Sequence, residues 1–123
     1  MICSGVDIVE VDRLDRAILR HQERFFDRFF TTQELIDCGG HTPALAARLA
    51  AKEAVAKALG TGIGRVGWKD IEIVRGSARE PQVRLHGEAL RAADRLHLRS
   101  WSVSLTHTHE HALAVAVAVG EEA

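Results

Sequence analysis

T-P-A-L-A-A-R-L-A-A-K-E-A-V-A-K-A-L, residues 42–59, decides the fold. Ala, Leu and Val fill its body except at Arg48, Lys52, Glu53 and Lys57; Thr42 stands as an N-cap, Pro43 takes the first helical position, and Gly60 follows the end. A helix this apolar on every side is buried nearly all round, so the rest of the chain has to wrap it. Arg48 and Lys52 lie four apart on one face, as do Glu53 and Lys57. An exposed pair at that spacing contributes only about 0.3–0.5 kcal/mol, a weak reason to place charges on such a helix. Function explains them better than pairing.

Outward from this helix, Ile2–Val11 reads as an apolar, β-branched strand. Asp12, with Asp15 three residues on, opens a helix as its N-cap. Thr31 and Glu34 have capping-box spacing, and Gly39-Gly40 stops the short helix that follows. Lys69–Arg75 and Gln82–Leu85 alternate as strands across a Gly-containing turn, Glu88–Leu96 is amphipathic, and Trp101–Thr106 and Ala112–Val119 form a closing strand pair. Helices clustered between strands, rather than alternating with them, predict an α+β fold with antiparallel pairing. No repeat or linker divides the chain, so one domain is expected over residues 1–123.

With 16 Lys+Arg against 17 Asp+Glu, the chain is not a globally basic nucleic-acid binder, and a charged partner must be sought in local patches. Cys3 and Cys38 stand far apart without a C-x-x-C, which supports neither a disulfide framework nor a cysteine zinc site. The N-terminal stretch has no basic leader and is interrupted by Asp7, and the apolar run 112–119 is too short to span a bilayer. A cytoplasmic protein is expected.

Asp7 is a lone carboxylate in a strand that otherwise reads as buried, which is costly unless it is paired or ligating. Glu53 supplies a second carboxylate from another element. With Lys and Arg nearby, the two suit a hard cation such as Mg²⁺, which shares its oxygen ligands with substrate phosphates. The glycines of residues 60–65 form either a phosphate-binding backbone nest or a simple helix cap and turn; following a helix, and lacking G-x-G-x-x-G, they exclude a Rossmann site. His107, His109 and His111 suggest zinc, or else one histidine, His107, against a phosphate with the other two in a turn. Arg13, Arg16, Arg20, Arg24 and Arg28 trace one face if the helix persists, fit for an acidic partner or balanced by neighbouring carboxylates. Two rival functions follow from these features: a noncatalytic nucleic-acid-binding module using the Arg stripe, and a zinc protein using the histidines. Phe25, Phe26, Phe29 and Phe30 read as packing.

Taken together, G-V-D-I-V-E-V-D-R at 5–13, R-F-F-D-R-F-F-T at 24–31, R-L-A-A-K-E-A-V-A-K-A-L-G-T-G-I-G at 48–64 and S-L-T-H at 104–107 resemble the holo-[acyl-carrier-protein] synthase family of bacterial phosphopantetheinyl transferases nearly end to end. The resemblance implies transfer of 4'-phosphopantetheine from coenzyme A to a serine of apo acyl carrier protein, an acidic partner of fatty acid biosynthesis. Adenosine 3',5'-bisphosphate is left, and Mg²⁺ is required. It further implies a homotrimer with active sites between subunits and no nucleic-acid or membrane partner. Residue by residue, Asp7 and Glu53 match the family's metal ligands, and Lys57 joins them as a catalytic candidate. Arg48, Lys57, Gly60, Ser104, Thr106 and His107 match the coenzyme-contacting region, and Arg13, Arg16, Arg20 and Arg24 the carrier-docking helix.

Overall fold

The long apolar helix forms as its sequence dictates and organises everything else. In a computed structural model that describes residues 1–121, the elements run β1 (Ile2–Glu10), α1 (Val11–His21), α2 (Glu23–Phe29), α3 (Thr32–Cys38), α4 (Thr42–Leu59), a 3-10 turn (Trp68–Asp70), β2 (Ile71–Arg75), β3 (Pro81–Leu85), α5 (Gly87–Arg95), β4 (Leu98–His107) and β5 (His111–Gly120). The named strands among the described residues all pair antiparallel: one sheet has the order β1-β5-β4, and β2-β3 form a second. The α+β expectation and the order of elements are borne out.

The main sheet lies on α4 through small residues. Ala112, Ala114, Ala116 and Ala118 of β5 are fully buried, and so are Ala50, Ala51 and Ala54 of α4. Small side chains on both surfaces let helix and strands approach closely. Gly5 extends this contact on β1, where its α-carbon faces the Ala54 carbonyl. α1, α2 and α3 close the other flank of α4, where Val11, Leu14, Phe25 and Cys38 gather with Phe30 around Leu45 of α4, so the phenylalanine cluster does pack a core.

Local signals place most boundaries, with corrections of one to three residues, the largest at β4, which begins at Leu98 rather than Trp101. The Thr31–Glu34 capping box is formed, and Gly39 and Gly60 end their helices in the left-handed conformation. Thr42 lies inside its helix with His41 at the N-cap, and α1 starts at Val11 behind Glu10, so Asp12 is not its cap. β1 is not buried on both faces. It sits at the edge of the sheet, with Cys3, Gly5, Asp7 and Val9 turned inward and Ile2, Val6 and Ile8 exposed. The arginine stripe is not one face either, because the helix breaks at Gln22, whose φ is 48°. Arg13, Arg16 and Arg20 stay on α1, while Arg24 and Arg28 belong to α2.

Candidate functional site

Gly5 brings β1 against α4, and two residues further along the same strand face Asp7 meets the helix. Lys57 Nζ donates to Val6 O at 2.9 Å and to Asp7 Oδ1 at 3.2 Å. Glu53, one turn earlier on α4, shares the groove with Asp7. Burial, then the negative charge of Asp7, raise the Glu53 carboxyl above the usual glutamate range against the opposing pull of Lys57. The charge of Asp7 therefore makes Glu53 harder to ionise, a cost that a cation between the two would relieve.

Asp7 and Glu53 line a groove of about 630 Å³. Asp7, Glu10, Arg13, Glu53 and His111 are its polar side; Leu14, Phe25, Phe29, Leu49 and Trp68 are its apolar side. The oxygen-only donor pair fits a hard divalent cation. Among the described residues no three His, Cys, Asp or Glu side chains are placed to share a metal.

A second cleft, about 420 Å³, is lined by Arg48, Arg75, Arg79, Ser104 and His107, among others. Arg48 is buried and its Nε has no hydrogen-bond partner. A buried guanidinium with a donor left over, beside two further arginines, is suited to a phosphate. Asp37 anchors one of them, accepting from Arg75 N at 2.9 Å while Arg75 Nη2 donates to Asp37 O at 2.9 Å. Burial pushes Asp37 up, but the Arg75 and Gln33 hydrogen bonds more than offset it, so its pKa lies below the usual aspartate value. Arg75 and Arg79 were missed in the sequence because only the β2-β3 hairpin brings them to the cleft.

The residues singled out from sequence thus fall into separate places. Asp7, Glu53 and Arg13 line the groove, and Lys57 contacts Asp7 beside it. Arg48, Ser104 and His107 line the cleft, whereas Thr106 and Gly60 line neither. Gly60 N donates to Lys57 O at 3.0 Å, and the amides of Thr61 and Gly62 turn back to Ala56 O. Those amides cap the helix, so the phosphate-nest reading fails. Lys52 does not pair with Arg48's face or serve the groove directly: it is fully buried and bonded to Glu34 at 2.7 Å.

The three late histidines diverge rather than converge. His107 packs edge-on against His41 at 5.7 Å and borders the cleft, His109 is an exposed turn residue, and His111 starts β5 and lines the groove. His111 is therefore not a turn residue, and no zinc cluster forms among the described residues. Cys38 offers no nucleophile, since burial pushes its thiol up to about 11. No helix among the described residues is long and apolar enough to cross a membrane.

A strand carboxylate and a helix carboxylate in one groove, with a lysine bonded to the first beside it, accord on this fold with residues 4–116 matching the family model "4'-phosphopantetheinyl transferase superfamily". The chain belongs to that superfamily. It is 42% identical over 113 residues to the holo-[acyl-carrier-protein] synthase of Herpetosiphon aurantiacus, covering 86% of this chain and 89% of the relative. Identity to that of Moorella thermoacetica is 48% over 109 residues, covering 86% and 84%. The crystal structure of the Helicobacter pylori synthase in complex with coenzyme A matches with a TM-score of 0.86 at 32% identity, covering 97% of this chain and 100% of that one. Within the superfamily the chain falls in the holo-[acyl-carrier-protein] synthase family, and it is an enzyme, a phosphopantetheinyl transferase.

Proposed function

We propose that the groove holding Asp7 and Glu53 is where Mg²⁺ and the pyrophosphate of coenzyme A meet the serine of an apo acyl carrier protein. The observation that carries this is the pair of interacting carboxylates from β1 and α4, with Lys57 bonded to one of them. The chemistry such an ion supplies is neutralisation of charge on the pyrophosphate as its bond breaks. Lys57 orients Asp7 and adds positive charge beside it. Glu53, which lines the groove beside Asp7, is placed to accept the serine proton directly or through a water. The serine oxygen bonds to the phosphorus carrying pantetheine, the bond to the neighbouring phosphate breaks, and adenosine 3',5'-bisphosphate leaves.

The arginine cleft supports a coenzyme phosphate site, with Arg48, Ser104 and His107 joined by Arg75 and Arg79. Groove and cleft lie on different sides of α4, through Leu49 and Glu53 on one and Ala44, Ala47 and Arg48 on the other. One coenzyme molecule spans them if they come from neighbouring subunits. The outer sheet face favours that arrangement, since Ile2, Val6, Ile8, Val115 and Val119 are exposed together there, an apolar surface suited to a homotrimer contact. The enzyme would then act in the cytoplasm on the carrier protein of fatty acid biosynthesis.

Incubating the protein with coenzyme A, Mg²⁺ and apo carrier protein tests the reading directly. The carrier should gain a phosphopantetheine-sized mass, and EDTA should abolish the gain. Unchanged mass across several apo carriers, or a gain that survives EDTA, counts against it. Docking gives a further expectation. Arg13, Arg16 and Arg20 are exposed on α1, and Arg13 reaches the groove itself. Arg13→Glu and Arg20→Glu should raise KM for the carrier about tenfold while KM for coenzyme A changes less than about twofold, with the carrier effect weakening as salt screens the charges. Equal effects on both substrates would remove α1 as the docking helix.

A further inference from the structure

We infer that the buried Lys52–Glu34 pair is the tether that positions the aromatic wall of the groove, and that it acts through Trp68 on how the carrier protein is received. The inference rests on the groove reading above. Both side chains are fully buried. A lysine ammonium has three N–H donors, and Lys52 has an acceptor for each: Glu34 Oε1 at 2.7 Å, Trp68 O at 2.9 Å and Ile71 O at 2.8 Å. Glu34 is fixed in turn, taking Thr31 N on Oε1 at 2.8 Å and Ile73 N on Oε2 at 2.9 Å. The pair therefore binds the start of the 3-10 turn, and the residue just after its end, to α3 and α4.

What that turn carries is the wall. The Trp68 ring packs on Phe29 at 4.9 Å between centroids, Phe29 stacks on Phe25 at 4.4 Å, and all three line the groove with Asp7 and Glu53. Arg13, Leu14 and Ala17 of α1 share that groove, which puts the wall on the carrier's side of it. Lys52 and Glu53 are successive residues of α4, so one helical turn both presents the carboxylate and holds the aromatic surface beside it. Replacing a buried ion pair by well-packed hydrophobic residues of similar volume is often neutral for stability. What Lys52 supplies is three aimed donors, that is, position.

The test uses a Trp101→Phe background, which leaves Trp68 as the sole tryptophan of the two in the chain. Lys52→Met/Glu34→Gln removes the tether without stranding a buried charge. The double variant should fold, show Trp68 emission shifted to the red, and raise KM for apo carrier protein about tenfold with kcat and KM for coenzyme A within about twofold. Trp68→Ala should raise the same KM, and adding it to the double variant should make matters no worse, since both changes act through one ring. Unshifted emission overturns the tether, and so do effects on KM that multiply. Full turnover in Glu53→Gln overturns the groove reading instead; the emission shift, which needs no turnover, still reads the tether in that case.

Discussion

Asp7→Asn should cut turnover of apo carrier protein about a thousandfold, equivalent to about 4 kcal/mol of barrier, while the thermal midpoint moves by no more than a few degrees. The two halves of this expectation come from different features of the same side chain. Asparagine keeps the size of Asp7 and can still accept from Lys57, whose ammonium also remains bonded to Val6 O. The ion pair lost is partly in water, with side-chain exposures of 51% for Lys57 and 20% for Asp7, and such pairs contribute at most about 1 kcal/mol. Stability therefore has little to lose.

On the proposed metal reading, activity has much more at stake. Asp7 and Glu53 would be the two carboxylates that hold the cation, and removing one would leave the other to hold it against water. Glu53→Gln should fall as far, with the added loss of the proton acceptor. The measurement is carrier mass gain at saturating coenzyme A, run beside a thermal melt. A variant that keeps more than about a tenth of wild-type turnover removes Asp7 from the metal pair. A collapsed melting transition would instead make Asp7 a structural residue.

The pair was legible in the sequence because each member broke a pattern: Asp7 interrupts β-branched residues, and Glu53 interrupts alanines. Helix α4, the Thr31 capping box and the glycine stops at Gly39 and Gly60 were legible for the same reason, since local spacing fixes them. Long-range partners leave no such mark. Lys52 and Glu34 are 18 positions apart, each explained by a weaker local story, one as half of an i,i+4 pair and the other as a cap; only packing brings them together. The break at Gln22 had no glycine or proline to announce it, so the arginines read as one continuous stripe. Arg75 and Arg79 needed the hairpin, and the exposed outer face of β1 needed the sheet order, before either could be placed.

Gly5→Ala should be the most damaging single methyl in the chain, lowering the thermal midpoint by more than about 10 °C at fixed protein concentration. A β-carbon built on Gly5 falls 1.9 Å from Ala54 O, 2.9 Å from Ala54 C and 3.1 Å from Ala58 N. Overpacking in a core ordinarily costs about 1–3 kcal/mol, because side chains can rotate away. Here the obstacles are backbone atoms of a helix buried nearly all round, so β1 as a whole must lift from α4. That lift carries Asp7 away from Glu53 and Lys57, and residual folded protein should lose activity beyond its loss of stability. The obstructing atom also predicts what will not help: Ala54→Gly removes the methyl but leaves the carbonyl, so it should fail to rescue Gly5→Ala and should itself destabilise α4 by about 1 kcal/mol. Thermal melts of the two single variants and the double variant decide the matter. A double variant more stable than Gly5→Ala would place the clash at the Ala54 side chain, and a Gly5→Ala protein with a normal melt would mean that β1 and α4 are not held at this separation.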